Sequence, residues 1–125
     1  HYYVCAKSET RVLFIAYEHV IKRCENACKF HSQLVSNLLQ MIALRASQQA
    51  GRIYVLSRNS TRKKIMAYLN SIAAEKQTKT VILPMSYTTL AEYLSVDRSA
   101  MMRELKNLAD EGIIERDGKK LRILD

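Results

Sequence analysis

Residues 90–105 read LAEYLSVDRSAMMREL, and residues 111–124, a few positions on, read EGIIERDGKKLRIL. In the first stretch Leu90, Ala91 and Leu94 line up on one side of a two-turn helix that starts after Ser86 at Tyr87. Ser95-Val96 makes a turn, and Asp97 is placed to cap a second helix running from Arg98 to about Ala109. Gly112 ends that helix as a C-terminal glycine. The second stretch then predicts a β-hairpin: Ile113 to Arg116, a turn at Asp117-Gly118, and Lys119 to Leu124. Asp-Gly supplies the positive φ that a tight primed turn requires. Two short helices joined by a brief turn, the second leading directly into a hairpin, define a winged helix-turn-helix.

The register of the second helix decides what it can do. Met101, Leu105 and Leu108 share one face, while Arg98, Ser99, Met102, Arg103 and Lys106 spread over the opposite arc. That arc is suited to the major groove of duplex DNA. Arg98 and Arg103 can each bond guanine O6 and N7 together or clamp a phosphate, Ser99 can bond several base edges, and Met102 can touch a thymine methyl.

Working upstream, Thr80-Val81-Ile82-Leu83 is a short β-branched strand stopped by Pro84. Before it lies a helix from Thr61 to about Glu75, capped by Asn59 or Ser60, with Ile65, Met66, Leu69 and Ile72 as its buried face. From about Tyr17 to Leu56 the spacing is helical, with Leu34, Val35, Leu38, Leu39, Met41 and Ile42 at three- and four-residue intervals. Val35, Leu38 and Ile42 extend this into a heptad-like series, an apolar stripe too broad for so small a domain to cover. A parallel homodimer through the helix around residues 32–56 is therefore expected. The alternative is that the stripe packs on its own chain. Tyr2 to Ala16, rich in Tyr, Val, Ile and Phe around the polar Lys7 to Thr10, reads as a pair of strands. Such a pair is marginal alone, so these strands are expected to complete a larger sheet encoded upstream. The expected domains are residues 1–16 (strands), 17–57 (connecting and dimerisation helices) and 58–125 (winged helix-turn-helix), a mainly α fold with a small β component.

The net charge of +8 favours a polyanionic partner, but its distribution matters more. Residues 1–85 hold 13 Lys/Arg against 4 Asp/Glu, whereas residues 86–125 hold 7 against 8. The DNA reader is itself close to neutral, so the case rests on pattern rather than on charge. A basic cluster stands at Arg58, Arg62, Lys63 and Lys64, beside a helix N-terminus suited to phosphate. No apolar run approaches the roughly 20 residues of a membrane span. Three cysteines without a signal peptide argue for a reducing, cytoplasmic setting.

Cys24, Cys28 and His31 fall at i, i+4 and i+7 on one helical face. Thiolate and imidazole suit zinc, and a cysteine cluster could hold an iron–sulfur group or sense oxidants. A metal site wants four ligands and buried structural cysteine is common, so packing is the preferred reading and a metal or redox sensor the alternative. A protein-interaction role for the winged helix is a further alternative. An enzyme is disfavoured, since no Gly-rich phosphate loop, paired catalytic carboxylates or supported Ser-His-Asp arrangement is found.

The run from Leu90 to Leu105, with Glu111-Gly112-Ile113-Ile114 and the hairpin ending Leu121 to Asp125, resembles the C-terminal half of the cyclic-AMP receptor protein and fumarate-nitrate regulator family. Cys5 to Ile15 resembles the last strands of that family's ligand-sensing β-roll, and the long helix its dimerisation helix. The resemblance implies a bacterial transcription regulator, lacking most of the sensor domain here, that reads a near-palindromic site as a homodimer and meets RNA polymerase. By position, Arg98, Ser99 and Arg103 occupy the places from which the family reads bases. Phosphate contacts are implied at Ser86, at the start of the helix after Asn59, and on the wing at Lys119 and Lys120. Many members have Glu at the position of Ser99, Ser or Gly at Met102, and Gly at Ser95, so a different half-site is implied. No cofactor is expected in this part of the chain, and the effector of the sensor domain is not implied by these residues.

Overall fold

The computed structural model describes residues 3–6, 8–21 and 29–124. Five helices and three strands are assigned among them: α1 (Tyr17–Ile21), α2 (Lys29–Leu56), α3 (Thr61–Lys76), β1 (Thr80–Ile82), α4 (Tyr87–Leu94), α5 (Arg98–Asp110), β2 (Ile114–Asp117) and β3 (Lys120–Ile123). The chain divides into two compact units, His1–Leu44 and Arg45–Asp125, with α2 beginning in the first and ending in the second.

In the first unit, where strands of a larger sheet are expected over Tyr2–Ala16, none is assigned among the described residues 3–6 and 8–16. β propensity expresses itself only where a ladder and a buried face exist. Here Val12, Leu13 and Phe14 remain 67%, 81% and 91% exposed. α1 follows at Tyr17, where the helical spacing was expected to start. On α2, His31 Nε2 lies 3.1 Å from the carbonyl oxygen of Val20 on α1. Ile15, Tyr17, Val20, Val35, Leu38 and Ile42 line an open apolar groove between these two helices.

The second unit holds a continuous core. Val55 from the end of α2, Ile65, Tyr68 and Leu69 from α3, Leu90, Ala91 and Leu94 from α4, and Met101, Leu105 and Leu108 from α5 are all buried. Val81, Leu83, Ile114, Leu121 and Ile123 close it from the sheet side. The sheet is antiparallel in the order β1-β3-β2, pairing Val81 with Leu121 and Arg116 with Leu121. Alternation along β3 puts Leu121 and Ile123 inward and Lys120 and Arg122 outward. The turn between β2 and β3 is one residue later than the sequence suggests. Asp117 pairs with Lys120, so the loop is Gly118-Lys119, with Gly118 at φ 53°. A glycine at the first loop position is what a type II′ turn demands.

Candidate nucleic-acid interface

The helix-turn-helix is fixed at each end by local chemistry. Ser86 caps α4, its Oγ accepting from the Thr89 amide at 3.1 Å and lying 3.0 Å from Thr89 Oγ1. At the other end Ser95 adopts φ 50°, its amide donating to Glu92 O and that of Val96 to Ala91 O. These two bonds make a Schellman ending, in which a left-handed residue is ordinarily glycine. The chain then turns at once into α5, whose first turn is capped by Asp97 Oδ1 accepting from the Ala100 amide at 2.9 Å. α5 ends the same way: Gly112 at φ 72°, with Gly112 N to Ala109 O and Ile113 N to Leu108 O, both 3.0 Å. The helix therefore cannot slide or rotate without breaking caps at both ends.

With Met101, Leu105 and Leu108 anchored in the core, Arg98, Ser99, Arg103 and Lys106 are all exposed. Three of the four base-reading candidates thus stand on one solvent-facing arc. Met102 is different. It lies within that arc, between Arg98 and Ser99, but is half-buried against the core, so only part of its side chain is available. Lys119 and Lys120 are exposed on the wing, and Ser86 is exposed at the start of α4.

The wing is tied to the helices. Tyr87, the first residue of α4, donates its hydroxyl to the carbonyl of Gly118 in the hairpin turn. The Arg116 guanidinium lies 5.7 Å from the centre of the Tyr87 ring. At the far side of the turn the Leu83 amide donates to Lys119 O at 2.9 Å. Burial raises the Tyr87 pKa, with Arg116 pulling the other way. Sequence reading missed these ties because the partners are 31 residues apart and no local pattern links them.

The basic cluster around the start of α3 is largely engaged within the protein. Ser60 is the cap of α3, accepting from the Lys63 amide at 3.2 Å. Arg62 ion-pairs with Glu111 and lies 3.9 Å from Glu104, holding α3 against the end of α5. Its hydrogen bond to Glu111 raises its pKa further. Lys64 Nζ donates to Leu94 O at 3.2 Å, a cation at the C-terminal end of α4. Arg58 covers the Tyr54 ring at 4.2 Å and donates to Tyr54 O at 3.2 Å. Lys63, by contrast, is exposed to solvent. Helix-end and ion-pair chemistry claims Arg62 and Lys64, a competition that a run of basic letters does not reveal.

Of the candidate metal or redox group, Cys24 and Cys28 lie outside the described residues, and His31 hydrogen-bonds Val20 O. Among the described residues no cluster of three His, Cys, Asp or Glu side chains could hold a metal ion, and no helix is long and apolar enough to cross a membrane.

This arrangement agrees with known proteins. The profile of the Crp-like helix-turn-helix domain matches residues 63–125. A probable transcriptional regulator of Lacticaseibacillus casei, flp, is 38% identical over 92 residues, covering 74% of this chain and 40% of that protein. Among solved structures, a Crp/Fnr-family putative transcriptional regulator of Eubacterium rectale shares the fold, with a TM-score of 0.50 and 24% identity over 73% of this chain and 42% of that one. The chain thus spans about two fifths of the length of these relatives.

Proposed function

Since the chain belongs to the family of Crp-like helix-turn-helix domains, we propose that it is the DNA-binding part of a sequence-specific transcription regulator that grips a near-palindromic duplex site as a homodimer. The family and the L. casei relative are regulators of transcription rather than enzymes. The observation that carries the reading is the outward arc of α5. Arg98, Ser99, Arg103 and Lys106 are exposed on a helix that is capped at both ends and fixed in register by Met101, Leu105 and Leu108. A groove-reading helix needs that combination, since a base contact loses its value if the helix can rotate.

In this reading Arg98, Ser99 and Arg103 meet base edges, with the exposed part of Met102 between them. Ser86, Lys106, Lys119, Lys120, Lys63 and Arg58 approach phosphates. Arg62 contributes by bracing α3 on α5. The second copy docks along α2, covering the apolar face that includes Leu39 and Ile42, 61% and 65% exposed in the single chain. Two α5 helices then enter successive major grooves. The setting is the cytoplasm, with RNA polymerase as a further partner.

The test is a binding titration with the preferred duplex and its single-base variants. Arg103→Ala is expected to cost about 1–3 kcal/mol and to relax discrimination at one or two positions. Affinity and discrimination left unchanged by both Arg98→Ala and Arg103→Ala would remove α5 as the reading element.

A further inference from the structure

We propose that Tyr87 is a positioning residue for DNA binding, holding the wing turn so that Lys119 and Lys120 stand beside α5 at phosphate height. The proposal rests on the DNA-binding reading above and deepens it. Tyr87 is the first residue of α4, and α4 is bonded through its Ser95-Val96 ending directly to the start of α5. The Tyr87 hydroxyl donates to Gly118 O, inside the two-residue turn that carries Lys119. One side chain therefore joins the element that precedes the reading helix to the element that carries the wing's two lysines.

A hairpin turn of this kind has little else to fix it. β2 and β3 are four residues each, Gly118 sits at φ 53° with no atom within 4 Å of a Cβ built on it, and Lys119 and Lys120 are both exposed. Three interactions converge on the turn: the Tyr87 hydroxyl on Gly118 O, the Arg116 guanidinium over the Tyr87 ring at 5.7 Å, and the Leu83 amide on Lys119 O at 2.9 Å. Two of the three pass through Tyr87. Without them the turn is held by the Leu83 bond and the ladder alone. Its lysines would then sample many positions, and each bond to a phosphate would have to offset the cost of ordering the turn.

Tyr87→Phe removes the hydroxyl and keeps the ring that Arg116 covers, so the core is left intact. The experiment measures affinity against salt concentration for the wild type, Tyr87→Phe, Lys119→Ala/Lys120→Ala and the triple variant, using a duplex recovered by selection from a random pool. Removing one lysine–phosphate pairing lowers the slope of log affinity against log salt by about 0.9. The expected result is a slope reduced by about 1.8 for Tyr87→Phe, one pairing lost in each copy of the dimer, weaker binding by roughly three- to tenfold at physiological salt, and an unchanged preference among base variants. On the Lys119→Ala/Lys120→Ala background Tyr87→Phe should add nothing. Faster amide exchange at Leu83 in the free Tyr87→Phe protein should accompany these changes. A Tyr87→Phe slope equal to that of the wild type, or an equal weakening with the wing lysines absent, overturns the positioning role while leaving the DNA reading in place. A wild type that shifts no duplex overturns the DNA reading itself, and with it this proposal.

Discussion

Ser95 is where residue-scale physics is most exposed to test. It holds φ 50°, as does Gln77 after α3, and each sits in a Schellman ending that favours glycine. A non-glycine residue in this region bears about 1–2 kcal/mol of steric cost, partly offset by the larger unfolded-state entropy of glycine. Ser95→Gly is therefore expected to raise stability by about 0.5–1 kcal/mol in urea denaturation, without moving α5. The engaged arginine makes a second contrast. Arg62 is committed to Glu111 and Glu104 between side chains that remain about a third to a half exposed, where solvent screening leaves ion pairs a small contribution. Arg62→Ala should therefore shift the denaturation midpoint only slightly and leave the salt slope of DNA binding unaltered. Lys63→Ala removes one pairing from each copy of the dimer and should lower that slope by about 1.8 with no loss of stability. The tyrosines give a pH dependence. Burial, then the neighbouring Tyr93, raises the Tyr68 pKa, and burial raises that of Tyr87. Because both folded values exceed the unfolded value near 10, the unfolded chain loses these protons first. Stability is thus unaffected by them below about pH 10 and falls as pH rises through the folded values. Denaturation midpoints followed from about pH 8 to pH 11 should show this decline, and Tyr68→Phe should make it shallower.

At the scale of the element, local patterns were legible and long-range partnerships were not. α4 begins and ends at the residues that Ser86, the apolar spacing and the Ser95 turn predict, and α5 gains its cap from Asp97 and its stop from Gly112 as read. Cap and stop chemistry acts over three or four residues, which is why the letters carry it. The hairpin was located but shifted by one residue, because the pairing of Asp117 with Lys120 is decided by which β3 side chains reach the core, not by the Asp-Gly dipeptide. Among the described residues 3–6 and 8–16 no strand is assigned, in keeping with the expectation that this segment needs the rest of a larger sheet, since β propensity without a partner strand specifies nothing. Tyr87 to Gly118 and Arg62 to Glu111 join elements far apart in sequence, so the candidate site's support was invisible although the exposed arc of α5 was not. α2 yields its own prediction. Leu39, Met41, Ile42 and Leu44 are 59–65% exposed along a 28-residue helix, and a second copy is the proposed cover. Ile42→Lys should convert the dimer to monomer in sedimentation analysis and lower DNA affinity by well over tenfold, while leaving the fold of the Arg45–Asp125 unit intact.

At the scale of the whole molecule, charge and site are separated. Most of the net charge of +8 lies outside α4, α5 and the wing, and part of what lies nearby is spent on helix ends and carboxylates. Affinity should then come from a modest number of phosphate contacts in each copy, doubled by symmetry, and specificity from Arg98, Ser99 and Arg103. The departures at Ser99 and Met102 from what the resemblance leads one to expect point to a half-site of its own, with Met102 half-buried and Ser99 permissive. The most direct measurement is selection of bound duplexes from a random pool, followed by sequencing of the enriched sites. The account predicts a near-palindrome whose half-sites are centred about one helical turn apart, with guanines at the positions that Arg103→Ala and Arg98→Ala relax. Enrichment of no sequence, or of an asymmetric site whose preference survives both substitutions, would contradict it.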